Sequence, residues 1–277
     1  MFRSLAVIAS TLLLSLCAPI ASAQVQPVQV DVSGTTATAT IGSPLHPLAE
    51  VILEFDNPVG LSAASLGLSA RLVNIADPAL LARLPDVQLN PLSGSFPLMV
   101  TIEPPAAGGL AFRTVRVEVH THALEYSIGS SYRLFKAPLN GAFTDITDEI
   151  ASGSIRARGT TGGFSQFLVL TDLRETDGVV ANKLTNLRAR IDALPLAEQP
   201  AFDALADAAQ AAVGRGDYAA AIANVRGAAQ RARERAAAGA LSSQWRATRD
   251  AVNQAGDVVA AARTLEFSIA YLRDFGP

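Results

Sequence analysis

YRLFKAPLNGAFTDITDEIASGSIRARGTTGGFSQFLVL, running from Tyr132 to Leu170, is the stretch whose reading decides the fold. Its apolar residues come in short bursts separated by turn residues. Tyr132 and Leu134 fall on one side of an extended run, with Arg133 and Phe135 on the other. Asn140-Gly141 then offers a hairpin turn, because both residues accept the positive φ values of a type I′ turn. Ser152-Gly153 offers a second. Between the turns, Ile155 and Ala157 alternate with Arg156 and Arg158, the period of two that marks a half-buried strand. Thr161-Gly162-Gly163 turns the chain again into Phe164 and the apolar run Phe167 to Leu170. The pattern predicts a β-meander.

Upstream the same grammar continues. Val28, Val30 and Val32 alternate with polar residues, as do the residues from Val51 to Phe55. Phe96 to Ile102 and Val115 to His122 read as further strands. Asp77-Pro78 carries the cap and first-turn chemistry of a short crossover helix. The total is about eight or nine strands at the spacing of an antiparallel sandwich. The order Phe143-Thr144-Asp145-Ile146-Thr147, a Gly-rich turn, then Phe164-Ser165-Gln166-Phe167 resembles the closing hairpins of immunoglobulin-like modules in exported bacterial proteins. That resemblance implies a fold and leaves the activity open.

Downstream the period changes to helical. Val180, Leu184, Leu187, Ile191 and Leu194 make one apolar stripe. Phe202, Leu205, Ala209 and Val213 make a second, and Tyr218, Ile222, Val225, Ala229 and Ala232 a third. A fourth helix is expected from Ser242 or Ser243, carrying Trp245, Val252, Val259, Leu265 and Ile269, with Trp245 as a core anchor of the bundle. Gly216-Asp217-Tyr218-x-x-Ala221-Ile222, in its Ala-x-x-Ala background, resembles the FIMAH helical module of exported bacterial proteins. Ala228 and Ala229 depart from that module, which has a bulkier pair. The whole layout is similar to uncharacterised exported bacterial proteins.

Residues 1–23 have the form of a cleaved signal peptide: Arg3, an apolar core from Leu5 to Leu16, and Ala21-Ser22-Ala23 before Gln24. Cys17 has the depth of a lipid-attachment cysteine, but Leu16 stands where a small residue belongs. Cleavage would remove this only cysteine, and with it any disulfide or thiolate chemistry. It would also remove Arg3 and take the formal charge from −3 to −4. No basic patch points to nucleic acid, and no later run is long and apolar enough for a membrane span. Lys136 and Lys183 are the only lysines, a bias toward arginine that reads as codon usage. The expectation is a multi-domain α and β chain: an antiparallel immunoglobulin-like β-sandwich (24–174), then a C-terminal α-helical bundle of three to four helices (179–273).

The most chemical-looking motif is His120-Thr121-His122. Residues two apart on a strand share a face, so both imidazoles, with Glu118, could grip Zn²⁺ or Cu²⁺. The plainer reading buries Val115, Val117 and Val119 and leaves Glu118, His120 and His122 facing solvent. Gly163-Phe164-Ser165-Gln166-Phe167 lacks the second glycine of a nucleophile elbow. Asp145, Asp148 and Glu149 read as turn and loop residues, and Gly108-Gly109 follows no strand-to-helix pattern. Arg215-Gly216-Asp217 reads as a helix-connecting turn. No catalytic or cofactor-binding residue is nominated. The sequence therefore points to a non-enzymatic exported binding or structural module of the bacterial envelope, periplasmic or extracellular, with envelope proteins or glycans as partners. The rival is a metal-binding protein or enzyme using the His120/His122 face.

Overall fold

The computed structural model describes residues 24–277; the expected leader at 1–23, with Cys17, lies outside the described residues. The chain runs β1 (Gln24–Gln26), β2 (Val28–Ser33), β3 (Thr36–Ser43), β4 (His46–Asp56), α1 (Ala63–Leu66), β5 (Leu68–Leu72), α2 (Pro78–Leu81), β6 (Leu98–Ile102), β7 (Ala111–Phe112) and β8 (Thr114–Glu125). Next come β9 (Tyr132–Ala137), β10 (Thr144–Asp145), β11 (Thr147–Ala151), β12 (Ser154–Thr161) and β13 (Gln166–Thr171). The C-terminal part is helical: α3 (Thr176–Asp192), α4 (Gln199–Gly214), α5 (Tyr218–Ala237), the short strand β14 (Trp245–Arg246) and α6 (Gln254–Phe275).

Two antiparallel six-stranded sheets form, ordered β1-β5-β6-β13-β9-β10 and β11-β12-β8-β4-β3-β2. Val100, Leu134, Phe167 and Val169 of the first meet Val51, Leu53, Val117 and Ala157 of the second in one core. Each such fully buried Val, Leu or Phe side chain contributes roughly 1.5–3 kcal/mol. The first sheet is covered on its other face too, where Met99, Phe135, Leu168 and Leu170 pack on Leu80, Leu84, Leu92 and Phe143. Burial on both faces explains why β13 reads as an unbroken apolar run. α2 starts as its sequence predicts, with Pro78 in the first turn and the Asp77 side chain accepting from the Ala79 amide.

The meander expectation needs correction. β9, β10 and β13 lie in the first sheet, but β11 and β12 lie in the second. The switch occurs at Ile146. Asp145 Oδ1 accepts from both the amide (2.8 Å) and hydroxyl (2.6 Å) of Thr147, which bends the chain between the two strands. The Asn140-Gly141 turn is also different: only Asn140 has positive φ, at 59°, so it is not a type I′ turn. The loop from β9 to β10 is longer than a two-residue hairpin.

In the helical part, the stripes hold: Val180, Leu184, Leu187 and Ile191 of α3, Phe202 and Ala209 of α4, and Val225, Ala229 and Ala232 of α5 are buried together. Asp217 caps α5, its Oδ1 accepting from Ala220 N at 3.0 Å, and Gly216 takes φ 72°. The fourth helix departs from expectation. It begins at Gln254, and Trp245 instead sits on β14, which pairs with β7 inside the β part. The indole stacks on Phe112 with centroids 4.9 Å apart and meets Phe164 edge-on at 5.6 Å. Those rings offer more aromatic contact than an alanine-rich helix face, and Arg249, at φ 56°, breaks any helix through this segment. Val252, expected in the stripe, is exposed.

Asn253 then fastens α6 to the β part. Its Oδ1 accepts from Gly256 N (3.0 Å), while Nδ2 donates to the carbonyls of Arg113 (2.6 Å) and Gly162 (2.9 Å). Gly162 and Gly163 bend the chain between β12 and β13 as expected, and their lack of side chains also leaves room for the helical part. A Cβ on Gly162 would lie 2.6 Å from Asp257 Oδ1, and one on Gly163 2.7 Å from the Trp245 ring. Among the described residues, no helix is long and apolar enough to cross a membrane.

Candidate functional site

The histidine strand is more enclosed than its alternation suggests. Glu118 and His120 are 7% and 8% exposed, not solvent-facing, because neighbouring strands reach across them. β12 supplies Arg156, 3.3 Å from Glu118 Oε1, and Arg158, which bonds Glu118 Oε2. β4 supplies Glu50, 3.2 Å from His120 Nδ1, while His120 Nε2 lies 2.6 Å from Ser154 Oγ. His122 is exposed, its ring centroid 4.9 Å from that of His120. So the two imidazoles come together, but Glu118 is engaged by arginines. Among the described residues, no group of three or more His, Cys, Asp or Glu side chains is placed to hold a metal ion.

Asp148 and Glu149 turn toward arginines of the second sheet, with Glu149 Oε1 2.5 Å from Arg158 Nη1. Asp145 goes elsewhere. It lines a cleft of about 360 Å³ where the β part meets the helices. The walls come from β9 (Lys136), β10 (Thr144, Asp145), β12 (Thr160, Thr161), α3 (Asn182, Lys183, Asn186, Arg190) and α6 (Asp257, Ala260, Ala261, Thr264). Five elements converge here because α6 packs on β11 and β12 while α3 packs on α6. The volume is at the lower end of the range of roughly 300–1,000 Å³ typical of small-molecule sites.

The chain's only two lysines both line this cleft. Lys183 is a structural group. Its Nζ lies 2.5 Å from Asp145 Oδ2 and donates to Thr264 Oγ1 (2.7 Å), Ser268 Oγ (2.9 Å) and Thr264 O (3.3 Å). Burial alone would raise the Asp145 pKa, but Lys183 and Arg133 overcome it and hold the carboxyl below its ordinary range. At Lys183 the balance tips the other way: burial lowers the ammonium pKa despite Asp145. The short contact nonetheless joins Lys183 and Asp145 as a buried pair, each answering the other's charge.

Lys136 is different. It donates to Thr161 Oγ1 at 2.6 Å and makes no ion pair with any carboxylate among the described residues. Its side chain retains some accessibility through the cleft, but protein surrounds it, and this desolvation pushes its pKa down to about 8. Asp257 opposes that shift, while Arg190 and Arg249 add to it. Burial raises the Asp257 carboxyl in turn, against the pull of Arg190 and Lys136.

This site is not apparent from sequence motifs, since its residues are spread from Pro85 to Thr264. One signal was present: two lysines in a chain that otherwise uses arginine. Codon usage does not explain their meeting in one cavity. A compact ammonium with three rotatable donors suits a confined site better than a guanidinium fork.

No curated protein matches the chain. A profile described as a family of unknown function, DUF6689, matches residues 11–273, nearly the whole length and both the β-sheet and helical parts. The chain belongs to that family of unknown function, DUF6689.

Proposed function

We propose that the chain is a non-enzymatic binding module, exported to the bacterial envelope and working in the periplasm or outside the cell. The apolar leader at 1–23 supports export. The core shared by the two sheets supports reading the β part as an immunoglobulin-like sandwich. The common core of α3 to α6 supports a helical bundle, with the capped Gly216-Asp217 turn as its FIMAH-like element. The observation that carries the binding role is the cleft between these parts, with Lys136 at its wall. Its other charges are held in ion pairs that fix geometry: Lys183 with Asp145, Arg174 with Asp172 and Arg190 with Asp257.

The test is native mass spectrometry of the chain isolated from the envelope fraction, with crosslinking of envelope proteins and glycans alongside. A bound small molecule is expected in the natural chain, and its loss in Ala260→Phe, which fills the cleft. A chain that comes out empty and crosslinks to nothing refutes the module. A second reading, metal binding at His120 and His122, rests on the 4.9 Å separation of their rings. Calorimetric titration with Zn²⁺ or Cu²⁺ decides it, since a heat lost in His122→Ala is required.

A further inference from the structure

The two lysines of the cleft have unequal hydrogen bonding, and the inequality identifies what the cleft takes. An ammonium has three N–H donors. Lys183 meets four oxygens, from Asp145, Thr264 and Ser268, and is saturated. Lys136 meets one, the Thr161 hydroxyl. That hydroxyl is itself tied into the backbone, donating to Gly163 O at 2.8 Å, so the ammonium is held in position. Two donors of Lys136 remain for something that enters the cleft.

The charge balance limits that something to one negative charge. Asp145 neutralises Lys183, Asp172 neutralises Arg174, and Asp257, 4.0 Å from Arg190, offsets the fourth cation of the lining. Of the four cations that line the cleft, Lys136 is the one with no carboxylate within ion-pair distance among the described residues. A dianion would exceed the available charge and face the Asp257 carboxylate nearby. One part of the wall is apolar, formed by Pro85, Phe143, Ile146, Val179, Ala260 and Ala261, and four threonines also line the cleft. Asn182 and Asn186 of α3 add neutral hydrogen-bonding groups.

Building on the binding-module reading above, we propose that the cleft binds a small carboxylic acid with an apolar body, as its monoanion, through a charge-assisted hydrogen bond from Lys136. The carboxylate replaces the missing acceptors of the ammonium, and the apolar body covers Phe143, Ile146 and Val179. Lys136 is the recognising group, and Lys183 holds the β10–α3 wall in place.

Because the chain has only two lysines, selective ¹³C-lysine labelling gives two sets of side-chain signals, assigned by their loss in Lys136→Met. The probes are sodium hexanoate and sodium benzoate, with 1-hexanol and inorganic phosphate as comparisons. Either carboxylate is expected to shift the Lys136 Cε signal and raise its titration midpoint, with Lys183 little changed. Affinity should fall about tenfold or more in Lys136→Met, the scale of one charge-assisted hydrogen bond. That variant removes a poorly solvated charge, and its retained fold is checked by its melting curve. If both carboxylates leave Lys136 unmoved, or bind Lys136→Met equally well, the proposal is overturned. It is also overturned if phosphate or hexanol gives the stronger response. The same spectra show whether a bound probe is chemically converted. Conversion would refute the non-enzymatic reading and leave the ligand class standing, whereas probe failure would spare a module that still crosslinks to envelope partners.

Discussion

Lys183→Met is the substitution that most directly tests how the β-sheets and helices are joined. It removes the ammonium but keeps most of the side-chain volume on α3. Asp145 on β10 would then be left with 3% side-chain exposure and no paired cation at 2.5 Å. Removing one partner of a buried ion pair costs about 3–5 kcal/mol, because the other charge stays desolvated. The lower end, near 3 kcal/mol, is expected here, since Asp145 keeps its two bonds to Thr147 and the field of Arg133. Urea denaturation of residues 24–277 at neutral pH measures the loss. The double variant Asp145→Leu/Lys183→Met should recover most of it, because both desolvated groups are gone. The acid limb should also respond. With its pKa depressed, Asp145 contributes stability that is fully present above the unfolded carboxylate range and is lost as pH falls through the lower folded value. Lys183→Met should flatten that limb. A cost below about 1 kcal/mol, or a double variant as unstable as the two singles summed, would refute the claim that this pair is a buried, coupled joint.

Asn253→Ala removes the α6 cap and leaves the carbonyls of Arg113 and Gly162 without their donor, so a loss of about 2–3 kcal/mol is expected in the same assay. Trp245→Ala should cost about 3 kcal/mol, because the indole stacks on Phe112. As the sole tryptophan reports from the β part, its fluorescence transition in Asn253→Ala should coincide with loss of the sheets' circular-dichroism signal. Lys136 predicts an alkaline effect. Its folded pKa of about 8 lies below the unfolded value of 10.5, so the unfolded chain binds more protons between them and stability rises with pH across that window. Chemical denaturation from pH 7 to 10.5 should show a rise that is smaller by up to about 3 kcal/mol in Lys136→Met, where only Lys183, also lowered by burial, still contributes in that direction.

Much of the fold was legible along the chain because it depends on local periods and caps. Alternation in β12, the stripes of α3 to α5, and the capping residues Asp77 and Asp217 all act on neighbours within a few positions. The errors came where a residue's partner lies far away. Trp245 looked helical among alanines until Phe112 and Phe164 offered it an aromatic seat. Gly162 and Gly163 do bend the chain, but the close approach of Asp257 and Trp245 that leaves no space for a side chain there comes from far along the sequence.

The stretch from Tyr132 to Leu170 shows the division most clearly. Its own residues determined that it would be extended, broken and half-apolar, since side-chain alternation and turn chemistry are properties of adjacent residues. Only the tertiary structure decided that it would cross between two sheets at Ile146 and place Lys136 and Asp145 on the wall of a cleft. Lys183 stands 38 residues beyond Asp145 along the chain, so their pairing arises only when α3 and α6 dock on the sheets. That docking depends on burial and on desolvated charge, which are set by the whole surroundings of a group and not by its neighbours in sequence.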